Sequence, residues 1–196
     1  MFQIGTDYFT EWDISKKMKI IINRSLLLFI ICGLLLSLLL SKQKVFLFEK
    51  LPDWRIRIVF PFHSIKLSYF LFIGLVGSTT IFIPLLFLED VRYTTSFVRY
   101  GILFSIVNAF LEELLWRGIM LSSIERNVSI FYAVFVTSIG FGLLHISIGI
   151  PLVMSLLFSF GGLFYAFIVI KSKSIYPAIV FHFIINLGMV LNGWIF

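Results

Sequence analysis

Apolar residues run through this chain in blocks too long for a water-facing helix, and most polar residues fall between them. Ile20–Leu40 is the first block; Leu67–Leu88, Val98–Leu121, Ile130–Ile150, Leu152–Ile170 and Tyr176–Phe196 follow. A membrane-spanning helix needs about 20 mostly apolar residues, and each block is close to that length. None shows the alternating segments of a barrel strand, and lipid offers no partner to an open backbone. The pattern predicts an all-α, polytopic transmembrane helical bundle of about six spanning helices. Pro151 stops the fourth block, and Pro177 falls in the first turn of the sixth, where a missing N–H matters little.

Composition narrows the class further. Hydrophobic residues make up 60% of the 196 and charged residues 13%, against roughly 25% charged in a soluble domain. A secreted disulfide module, a disordered tail and an ordinary cytosolic enzyme are excluded. Cys32 is the single cysteine, so no disulfide framework and no cysteine-based metal site is expected. The net charge of +6 does not point to nucleic acid, because the basic residues neither line one helix nor interleave with a stacking platform. Lys16, Lys17, Lys19 and Arg24 flank the first block, and Lys42, Lys44, Lys50, Arg55, Arg57 and Lys66 fill residues 41–66. Such cations read as juxtamembrane anchors beside anionic headgroups. Trp54, Phe60 and Phe62 among them place that connection along the membrane interface. The first block is too long for a signal peptide and no small-residue cleavage site follows Leu40, so it reads as an uncleaved helix. Gly74/Ser78 and Gly162/Ala166 mark close helix packing. The chain thus divides into an N-terminal two-helix region, 1–97, and a four-helix region, 98–196.

The third block contains residues that lipid does not welcome. Glu112, Glu113 and Arg117 lie well inside it. Three central charges cost about 8–10 kcal/mol on insertion scales, while its Leu, Ile, Val and Phe residues return only about 4–7 kcal/mol. This helix needs partners within the bundle. At about 100° per residue, Glu113 and Arg117 sit about 40° apart and can pair, whereas Glu112 is about 140° from Arg117. Glu112 lines up with Ser105 and Asn108 in a polar stripe that could face an aqueous cavity. Glu113 therefore reads as held and Glu112 as available.

Two histidines are also intramembrane. His145 lies in the fourth block, and His182 and Asn186, at i and i+4, share a face of the sixth. A single histidine on an apolar helix is more often a satisfied core residue, and His63 in the basic connection reads as a plain surface residue. Two histidines with Glu-Glu, Arg and Asn on three helices read as functional. HExxH is absent, as are a Ser-centred elbow and a thiol near a histidine. What remains is a carboxylate and an imidazole to activate water, and an imidazole with an amide to stabilise an oxyanion. That set suffices for non-covalent amide hydrolysis.

Three motifs in order carry a family resemblance: EELLWR (Glu112–Arg117), FGLLH (Phe141–His145) and HFIIN (His182–Asn186). They resemble the EExxxR, FxxxH and HxxxN signatures of the CPBP intramembrane glutamic endopeptidases, the CAAX-protease and bacteriocin-processing family, also called Abi. The resemblance covers roughly residues 98–196 and implies that this half is the catalytic core. It implies Glu112 as the catalytic base working with His145 on water, His182 and Asn186 as the oxyanion site, and Glu113 with Arg117 as support. It implies no cofactor. The partners implied are the lipid bilayer and a hydrophobic or lipidated peptide substrate, in a multi-pass protein of the cell membrane. The Ile-, Phe- and Lys-rich composition hints at an AT-rich bacterial genome. Prenyl proteases of the family cleave behind a lipidated cysteine, and other members serve bacteriocin immunity or peptide maturation. This chain is shorter than the prenyl proteases, with fewer spans. Two alternatives stay open: a non-catalytic immunity or peptide-sensing protein, and a metal-dependent hydrolase using the same side chains as ligands.

Overall fold

The computed structural model describes residues 11–43, 48, 50–60, 62–87 and 94–195. Lys44, Leu88 and Phe196, named above, lie outside these. The described residues are nearly all helical, with strand confined to one hairpin. Contacts divide the chain into two compact units: Met1–Glu49 with Leu111–Phe167, and Lys50–Phe110 with Ile168–Phe196.

In the first unit, α1 (Lys16–Leu40) opens at Ser15, whose hydroxyl oxygen accepts the Met18 N–H at 3.3 Å. That satisfies one of the donors a helix start leaves over. Leu27 and Ile31, one turn apart, face inward and pack against Leu111, Leu115 and Ile119. The outward positions stay apolar, with Phe29 and Leu40 each 76% exposed. No water-facing helix presents such a surface, and lipid is what covers it. The helix α3 (Thr95–Glu113), which belongs to this unit only from Leu111 on, runs straight into a π-helical segment, Leu114–Leu121, and a short α4 (Ser122–Ile124).

The helix α5 (Ile130–Leu143) starts at Ser129, which accepts from the Tyr132 N–H. It tightens into a 3₁₀ turn, Leu144–Ile148, and stops at Gly149 with φ of +88°. The predicted fourth span is therefore α-helical only to Leu143. Pro151 disfavours helical backbone at Ile150, and Gly149 takes the left-handed cap that ends the turn. The next helix, α6 (Leu152–Ser172), lies tightly against α5. A Cβ on Gly142 would strike the Ser155 carbonyl and the Ser159 hydroxyl, and one on Gly162 would come within 2.9 Å of the Ser138 backbone. Backbone cannot yield as a side chain does. Gly162→Ala is expected to destabilise the protein by about 1–3 kcal/mol, the usual scale of overpacking, measured as a lower melting temperature in detergent.

In the second unit, β1 (Arg57–Val59) pairs antiparallel with β2 (Ser64–Lys66), with Ile58 opposite Ile65. Sequence patterning showed only a polar connection here. Ile58 is buried between exposed Arg57 and Val59, and Trp54 and Phe62 are exposed. The helices α2 (Leu67–Leu85) and α7 (Tyr176–Leu191) pack through small residues. Phe181 covers Gly74, where a Cβ would sit 2.7 Å from the ring, and Phe82 covers Gly188. The sixth predicted span stops at Leu191, because Asn192 folds its side-chain amide back onto the Gly188 carbonyl at 2.8 Å and Gly193 adopts φ of +70°. An Asn-Gly pair is a strong helix stop.

Four helices among the described residues are long and apolar enough to cross a membrane, and only 11–39% of each spanning window is buried by protein. The protein is a helical membrane bundle. The charges of α3 keep it out of that set, and α7, at about 24 Å by its rise per residue, falls short of a hydrocarbon core of about 30 Å.

Candidate active site

Glu112 and Glu113 end α3 at the entry to the π segment, and both are fully buried. Segments of π-helix are rare and cluster at functional positions, because the widened turn re-aims side chains. Each carboxylate has a guanidinium. The Arg117 Nη1 donates to Glu113 Oε1 at 3.0 Å, the i, i+4 pair expected from the spacing. Its Nη2 donates to the Gly162 carbonyl on α6 at 2.9 Å. The guanidinium carbon lies 4.5 Å from the Phe141 ring centroid and 5.3 Å from that of Tyr165. Cation–π attraction is strongest where water is excluded, and Arg117 is fully buried. One side chain thus ties the π segment to α5 and α6.

The expectation of an available Glu112 beside an aqueous cavity is corrected. Arg24 of α1 forms an ion pair with Glu112, its Nη1 donating to Oε1. Arg24 is only 4% exposed and is not the headgroup anchor that its position among Lys16, Lys17 and Lys19 suggested. Ser105 and Asn108, the rest of the expected polar stripe, are buried as well, at 0% and 5% exposure. Burying two carboxylates at this depth requires compensation, because unpaired buried charge is strongly destabilising. Arg24 supplies half of it.

His145 is carried on the 3₁₀ turn, one turn beyond Phe141. Its Nδ1 lies 3.0 Å from the Phe141 carbonyl oxygen. A carbonyl only accepts, so this contact requires Nδ1–H, and in the neutral ring Nε2 is then the basic nitrogen. The ring also packs against Phe158, with centroids 4.6 Å apart, and edge-on against Phe141 at 5.3 Å. Phe141 therefore has two duties: its face receives Arg117 and its backbone orients His145.

Glu112, Glu113, Arg117 and His145 belong to the first unit, and His182 and Asn186 to the second. On α7, His182 is 3% exposed and Asn186 6%. Among the described residues the Asn186 Nδ2 has no hydrogen-bond partner. An unsatisfied buried donor costs about 1–3 kcal/mol, and Asn186 shares this condition with other buried atoms, the Trp116 Nε1 and the Ser138 and Ser159 hydroxyls among them. Among the described residues no group of three or more His, Cys, Asp or Glu side chains is placed to hold a metal ion. His63 lies in the hairpin loop, stacked on Phe60.

Sequence reasoning missed Arg24, Tyr165, the Gly162 carbonyl and the π segment. Arg24 was detectable: positions 24, 27 and 31 fall on one helical face, so the residue shares the inward side of Leu27 and Ile31. Residues 94–188 match the family model described as Rce1-like, type II CAAX prenyl endopeptidase Rce1-like. That stretch contains EELLWR, FGLLH and HFIIN and leaves out α1 with Arg24. Neither a curated protein nor a solved structure matches the chain.

Proposed function

We propose, on the premise that residues 94–188 belong to the Rce1-like type II CAAX prenyl endopeptidase family of membrane proteases, that this protein is a glutamic-type intramembrane endopeptidase. Its substrate is a hydrophobic or lipidated peptide of the bilayer. The observation that carries the reading is a fully buried, ion-paired Glu112 in the same compact unit as a histidine whose tautomer leaves Nε2 basic. Glu112, with His145, takes a proton from water, and the water oxygen attacks the scissile carbonyl carbon. For the resulting oxyanion, the family resemblance implies His182 and Asn186 as the hydrogen-bond donors. The proton then passes to the departing amine, the C–N bond breaks, and an amine and a carboxylic acid leave, the acid releasing its own proton to solvent. Glu113 touches none of these atoms; with Arg117 it fixes the helix end that presents Glu112.

The unsatisfied Asn186 amide is compatible with the oxyanion assignment. Asn186→Ala is expected to lower kcat by about 10²–10³ with KM little changed, the scale of one lost oxyanion donor. The assay uses protein in liposomes, with a farnesylated cysteine-containing peptide and an unmodified hydrophobic peptide compared as substrates. Hydrolysis in excess chelator is the expected result. Activity that disappears with the chelator and returns with added metal would instead identify a metal-dependent hydrolase.

A further inference from the structure

We infer that Arg24 of the first helix is a positioning residue for Glu112, holding its carboxylate ionised and aimed so that it can receive the water proton. The inference rests on the reading of Glu112 as general base and extends the site beyond the matched residues 94–188. Arg24 stands on the face of α1 that carries Leu27 and Ile31, and these pack against Leu111, Leu115 and Ile119 on either side of Glu112. The register is therefore set by apolar packing, and the ion pair follows from it. Arg117 is already committed to Glu113, to the Gly162 carbonyl and to two aromatic rings.

The ionisable groups around Glu112 are Arg24 from α1, Glu113 and Arg117 from its own helix and the π segment, and Tyr165 from α6. Arg117 and Tyr165 interact electrostatically with Glu112. With Arg24 present, two guanidinium and two carboxylate charges balance. Without it, one negative charge is left in excess where solvent is excluded, and a carboxyl there takes up a proton rather than stay charged. A protonated carboxyl accepts nothing from water. Arg24 thus governs whether the base is in its working form.

Infrared spectroscopy of the protein in liposomes at neutral pH tests this without knowledge of the substrate. The protonated-carboxyl C=O stretch of Glu112 is expected to be absent from the wild type and from Arg24→Lys. It is expected to appear in Arg24→Gln and to vanish in Arg24→Gln/Glu112→Gln. Arg24→Met, which keeps the side-chain length, repeats the measurement if the glutamine variant fails to accumulate. A Glu112 band already present in the wild type, or absent from the charge-removed variant, overturns the inference. A residue that merely staples α1 to α3 would leave the band unmoved. Proteolysis that survives Glu112→Gln strikes the underlying reading; an unmoved band beside an inactive Glu112→Gln strikes the role of Arg24 alone.

Discussion

Glu112→Gln is expected to lower peptide hydrolysis by about 10²–10⁴, the contribution of a positioned general base, while the protein still inserts. Glutamine keeps the length and shape of the side chain but cannot receive a proton from water. His145→Ala is expected to fall in the same range, and the double variant to be little worse than either single one, because two groups acting on one water lose their effect together. The comparison needs membrane levels of each variant measured alongside the rates, since removing the Glu112 charge leaves Arg24 buried without its partner. Full activity in either single variant at wild-type abundance would exclude the proposed chemistry.

The largest effect on stability is expected at Arg117. The side chain is fully buried and joins Glu113, the Gly162 carbonyl, Phe141 and Tyr165. Arg117→Ala removes the cation and takes its ion-pair partner from Glu113, a loss that typically costs about 3–5 kcal/mol, whether the buried carboxyl stays charged or has to take up a proton. Arg117→Lys keeps the charge but loses the planar fork and the stacking face, so only partial recovery is expected. Arg117→Ala/Glu113→Gln should recover more than Arg117→Ala alone, because the stranded carboxylate is gone. Thermal unfolding in detergent, or steady-state abundance in the membrane, reads all three. Equal melting temperatures for the wild type and Arg117→Ala would show that the aromatic and carboxylate contacts carry no stability.

The helical bundle was legible because apolar block length is a direct imprint of bilayer thickness. The Glu113–Arg117 pair was legible for an equally local reason: residues four apart on a helix are neighbours. What failed were features set by tertiary context. Within its own helix Glu112 faces away from Arg117, whereas its partner arrives from α1, 88 residues earlier in the chain. The π segment has no periodic signature, and its widened turn lies within ordinary helical sequence. The helix stops at Gly149 and Asn192-Gly193 were present as turn chemistry, but continuous apolarity masked them. FxxxH was readable as a motif, yet the division of Phe141 between a ring that receives Arg117 and a carbonyl that orients His145 required coordinates.

The central claim is that Glu112 supplies the base for cleavage of peptides within or beside the bilayer. Comparing the membrane peptides of cells that carry the wild type with those of cells that carry Glu112→Gln at equal abundance tests it most directly, because every natural substrate is sampled at once. The account predicts that a defined set of hydrophobic or lipidated peptides stays full length in the variant cells and is found cut in the wild type. Identical peptide sets in the two would contradict it.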